Sequence, residues 1–64
     1  MKPLVLLLGD RGWLVGREVG RRQFDYLVVV EEGNVIWATS PGLALETRDR
    51  GEALRWLDIA QRHE

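Results

Sequence analysis

From Phe24 to Glu31 the chain reads as a β-strand that is apolar on both faces, and this feature constrains the fold more than any other. Side chains alternate across a strand. Phe24, Tyr26, Val28 and Val30 then share one face, and Asp25, Leu27, Val29 and Glu31 share the other. A single helical pattern follows, near the end of the chain, and one helix cannot cover both faces of a sheet. Either the sheet curls into a small barrel or a second subunit covers the other face. A two-fold dimer is the commonest way to supply that subunit.

The segments around this strand have the same character. Pro3 to Leu8 is a short, continuous apolar run of the length and flanks expected of a strand buried on both faces. Gly9-Asp10-Arg11-Gly12 reads as a turn. Trp13 to Val19 returns as a second strand, and Gly16 in its middle suggests a bulge or the close approach of another backbone. Gly20-Arg21-Arg22-Gln23 makes the second connection, and Gly33-Asn34 marks a hairpin before a strand from Val35 to Thr39. Ser40-Pro41-Gly42 interrupts the ladder, because proline has no N–H to donate. Leu43 to Glu46 can form a last short strand.

The helical pattern comes last. Asp49 is a good N-cap, and Glu52 three residues later completes a capping-box pair. Ala53, Leu54, Trp56, Leu57 and Ala60 fall on one stripe at 3.6-residue spacing, with Ile59 at its edge. Asp58 and Arg62 form a favourable i,i+4 pair on the far side. The predicted architecture is a single α+β domain over residues 1–64. It is an antiparallel four- to five-stranded β-meander, curled or closed into a small barrel, with one C-terminal helix.

A domain of 64 residues has a thin core and keeps roughly 3–10 kcal/mol of stability. Domains of this size usually need a disulfide, a metal or a partner. The chain has no cysteine, and its only histidine is His63, so a zinc site built on those ligands is not expected and no cofactor motif is found. The remaining staple is a partner protein or a second copy. The net charge of −1 gives no general attraction to nucleic acid. No run approaches the ~20 apolar residues of a membrane span. Leu4 to Leu8 is too short for a secretory leader, so a cytoplasmic protein is expected.

Catalytic groupings are also missing. Nucleophilic catalysis needs a nucleophile, a base and an orienting group. Ser40 is the only serine, and its place between Thr39 and Pro41 is that of a turn residue. Glu31 and Glu32 read as solvated charges protecting a hairpin end. Gly9 to Gly12 lacks the spacing and lysine of a phosphate loop. The expectation is a protein that is not an enzyme, with no catalytic, metal or cofactor residue.

Two surfaces remain as candidates. The first is a partner-binding face made of Trp13, Tyr26, Val35 and Trp37, since tryptophan and tyrosine dominate interface hot spots. The second is a nucleic-acid surface made of Arg17, Arg21 and Arg22 with Phe24, the only basic cluster with an aromatic beside it. Glu18 and Asp25 are interleaved with it, so it can equally be a solvated loop. Trp56, on the helix stripe, is read as core.

The second half of the chain resembles the HicB-like antitoxin domain family. The residues that carry the likeness are Tyr26-Leu27-Val28-Val29-Val30, then Gly33, then Pro41-Gly42, then Glu52-Ala53-Leu54 opening a helix capped by Asp49. It covers about residues 26–60. Ala38 and Ser40 stand where the family has a proline and a leucine. The resemblance implies a sheet-plus-helix fold like that of double-stranded-RNA-binding domains, self-association, and a small protein partner such as an RNA-cleaving toxin. It implies no catalytic residue. Thr47 to Leu57 is also similar to the three-strand-plus-helix DNA-binding domains at integrase N-termini, where a sheet face reads the major groove. The leading expectation is a homodimeric protein-binding module, and the alternative is a nucleic-acid-binding sheet.

Overall fold

The computed structural model describes residues 3–63 of the chain. Lys2, one of the N-terminal cations, lies outside them. Four strands, β1 (Leu4–Gly9), β2 (Gly12–Gly20), β3 (Gln23–Glu31) and β4 (Asn34–Ala38), form one antiparallel sheet in sequence order. A 3-10 turn at Pro41–Leu43 leads to the helix α1 (Arg50–His63). The meander and its C-terminal helix are as expected. The sheet stays open, with β1 and β4 at its two edges, so the barrel is not formed.

The predicted fifth strand shrinks to a single bridge. Pro41 starts a 3-10 turn instead of extending the chain. Past it, Thr47 exchanges both backbone hydrogen bonds with Trp13, at 2.6 and 3.0 Å, and the Leu45 N–H donates to the Leu27 carbonyl at 2.9 Å. This is possible because β2 and β3 pair with each other only from Gly16 to Gly20 and from Gln23 to Tyr26. Beyond Gly16 and Tyr26 they part, and residues 45–47 bond to both. Gly12 sits where this segment passes, with φ at +135°, and a Cβ there would run into the Thr47 carbonyl. Only glycine suits both conditions.

The strand register fixes which side chains share a face, because residues directly opposite in an antiparallel pair point the same way. Leu8/Trp13, Leu6/Val15, Leu4/Arg17/Asp25, Leu27/Trp37 and Val30/Val35 lie on the helix side. Leu7/Leu14, Val5/Gly16/Tyr26/Ala38, Glu18/Phe24 and Val29/Ile36 lie on the other. The strict alternation expected along residues 24–31 fails at Val28. A register shift between Leu27 and Val29 inserts an extra residue, so Leu27 and Val30 both join the helix-side core.

That core is built on fully buried Val15, Leu27 and Ala60, with Leu4, Leu6, Val30, Val35, Trp37, Trp56 and Leu57 packed around them. Alanine at positions 53 and 60 lets the helix sit close to the sheet, and both are fully buried. Leu54, expected on the buried stripe, is instead 40% exposed on the helix flank. The expected cap is present: the Asp49 carboxylate accepts from the Gly51 N–H at 2.9 Å. Glu52 was expected to reach the Asp49 N–H, but that N–H donates to Thr47 Oγ1 at 3.1 Å.

β1 was expected to be buried on both faces. It is an edge strand, half-buried along most of its length, with Leu8 70% exposed. No helix among the described residues is long and apolar enough to cross a membrane.

Candidate functional site

The helix packs on β1, β2 and β3 from one side. The opposite side of the sheet has no such layer. Val5, Leu7, Phe24, Tyr26, Val29 and Ala38 are half-buried there, and Ile36 is 47% exposed. Leu14 is the exception. It is almost completely buried, and it lines a depression of about 620 Å³ with Pro41, Ala44 and Leu45. Gly16 has a specific role on this face: Leu7 and Phe24 lie directly over its Cα, so a Cβ would meet both side chains. The close approach expected at Gly16 comes from side chains, not from backbone, and the bulge in β2 lies farther along, between Glu18 and Gly20.

The four residues predicted as a partner-binding face do not share one. Trp37 and Val35 face the helix side and pack against the core. Trp13 is also on the helix side, with the Arg50 guanidinium 5.8 Å from its ring centre. Tyr26 alone belongs to the uncovered face, paired with Gly16 and Ala38. The sequence signal missed Val29 and Ile36, because locating them requires the register shift at Val28.

The arginine cluster is also divided. Arg17 is half-buried on the helix side, bonded to Asp25 at 3.1 Å, with its guanidinium 4.5 Å from the Trp37 ring centre. It is committed within the fold. Arg21 and Arg22 are exposed at the β2–β3 turn, and Arg22 holds a φ of 56°. Phe24 faces the side opposite Arg17. Arg22 and Phe24 line one depression of about 410 Å³ with Tyr26 and Asp25, so the turn keeps an aromatic beside one of its two arginines.

Two smaller features complete the surface. Glu32, Gly33, Ile59, Arg62 and His63 line a cavity of about 340 Å³ between the β3–β4 turn and the helix C-terminus. Glu46 lies against Gly9 through Oε1, while its Oε2 is enclosed and has no hydrogen-bond partner among the described residues. Ser40 is exposed at the start of the 3-10 turn and His63 is exposed at the end of the helix. Among the described residues, no group of three or more His, Cys, Asp or Glu is placed to hold a metal.

No family model, curated protein or solved structure matches this chain.

Proposed function

We propose that the chain is a small non-catalytic binding and assembly module that self-associates as a homodimer and acts through protein–protein contacts. What supports this reading is an open sheet that is apolar on both faces and has one helix on one of them. Contiguous apolar surface of this kind marks interaction sites in soluble domains. The uncovered face, centred on Tyr26, Val29 and Ile36, is the surface offered to a partner. The likeness of residues 26–60 to HicB-like antitoxin domains adds the class of that partner: a small protein such as an RNA-cleaving toxin.

Nucleic-acid binding is the competing reading, and the commitment of Arg17 to Asp25 and Trp37 on the helix side weighs against it. The two are separated by fluorescence anisotropy with labelled random-sequence duplex DNA and single-stranded RNA at low salt. The proposed function predicts no saturable binding below about 10⁻⁴ M, the weak end of non-specific affinity. Micromolar binding that falls steeply with salt and is lost in Arg21→Ala/Arg22→Ala would overturn it in favour of the nucleic-acid reading.

A further inference from the structure

The edge of β1 carries an arrangement that the uncovered face does not. Trp13 uses both its N–H and its carbonyl on Thr47, so these groups point away from β1. Its partner Leu8 therefore points its own N–H and carbonyl away from β2. The Glu18 N–H donates to the Pro3 carbonyl at 3.0 Å, which sets the same alternation from the other end. The backbone groups of Leu4, Leu6 and Leu8 thus face outward along a sheet edge that no other strand occupies.

Natural edges are normally guarded by charge, proline or a bulge. Leu4-Val5-Leu6-Leu7-Leu8-Gly9 has none of these within it. Beside this edge, on the helix side, lie the two most conspicuous exposed leucines of the sheet and the helix. Leu8 is opposite Trp13. Leu54 is one turn beyond Arg50, and Arg50 reaches over Trp13, so Leu54 is on the flank of the helix nearer β1. The other flank, with Ile59 and His63, faces the β3–β4 turn.

From this geometry we infer that β1 pairs antiparallel with β1 of a second copy, joining two sheets into one continuous sheet of twice the width. The inference rests on the self-association proposed above and specifies how it occurs. The strand is self-complementary about Leu6. Leu6 meets Leu6, Leu4 meets Leu8, and Val5 meets Leu7, so every rung is apolar and every outward backbone group is satisfied. Rotation about an axis normal to the sheet keeps both helices on the same face, with their Leu54 flanks turned toward each other. The uncovered faces then merge into one broad apolar surface for the partner.

The β4 edge is the weaker candidate. It is one residue shorter, and the exposed apolar side chain beside it, Ile36, lies on the face away from the helix.

The test compares three purified proteins by sedimentation equilibrium, with circular dichroism to confirm folding: the wild type, Leu8→Lys/Leu54→Lys, and Ile36→Lys. All three positions are exposed, so the fold should survive. The expected result is a wild-type dimer, a dissociation constant raised about a hundredfold or more in the Leu8/Leu54 variant, and little change for Ile36→Lys. Amide exchange at Leu4, Leu6 and Leu8 should slow about tenfold or more as the wild-type dimer forms. A dimer that survives Leu8→Lys/Leu54→Lys and breaks in Ile36→Lys would overturn the edge pairing while leaving the assembly reading intact. A folded wild type that stays monomeric would overturn both.

Discussion

Gly12 shows most clearly how one residue holds this fold together. Its φ of +135° and the Thr47 carbonyl beside it each exclude a side chain. We expect Gly12→Ala to cost at least about 2 kcal/mol, combining backbone strain with loss of the Trp13–Thr47 bridge. Gly33 has a φ of +81° and nothing near its missing Cβ, so Gly33→Ala should cost only about 1 kcal/mol. Urea midpoints of the two variants measure the difference, and equal losses would mean that the Thr47 segment does not depend on Gly12. A second contrast separates core from surface. Leu27→Ala should cost about 2–5 kcal/mol, because it empties the centre of the Val15–Leu27–Ala60 cluster. Leu8→Ala, measured in the monomer, should stay within about 0.5 kcal/mol. The Arg17–Asp25 pair is partly exposed, and Asp25→Ala should cost about 1 kcal/mol.

At the scale of elements, the strands and the helix were legible because their patterns are local. Alternation, the turn at Gly33 (one residue earlier than Gly33-Asn34, since Asn34 already pairs with Glu31) and the Asp49 cap each lie within a few residues. The misreadings arose where distant segments decide. The extra residue at Val28 lies where β2 and β3 part and residues 45–47 bond to Leu27 and Trp13. No local pattern in residues 24–31 reveals that arrangement. It nevertheless moves Val30 into the core, and it separates Tyr26 from Trp37. The same long-range segment replaced the expected fifth strand. Leu54 differs for another reason: at about 100° per residue it lies at the far edge of the stripe centred on Ala53, Trp56, Leu57 and Ala60, and it stays 40% exposed. The helix start can be checked directly. Asp49→Ala removes the bond to the Gly51 N–H and should cost about 1 kcal/mol. Thr47→Val should cost a comparable amount, because Thr47 takes the Asp49 N–H that Glu52 was expected to take. A stability curve for Thr47→Val that overlays the wild type would remove the hydroxyl from this account.

For the molecule as a whole, small size would couple the proposed assembly to stability. The chain exposes 4616 Å², and a standard interface of about 800 Å² per partner would take roughly a sixth of it. Removing that much apolar surface from water would add substantially to a stability of only a few kcal/mol. A homodimer of this chain should therefore melt at a higher temperature as its concentration rises, and a concentration-independent midpoint would argue against coupled folding and assembly. The candidate surface was only partly legible beforehand. The expectation of a covering partner follows from the two apolar faces of residues 24–31, whereas the residues on the uncovered face depend on the register. The most direct test of the central claim is the light-scattering mass of the purified chain across a dilution series. The expected mass is twice the 7.4 kDa of one chain at high concentration, falling toward the monomer on dilution. A single-chain mass at every concentration, with the fold intact, would contradict it.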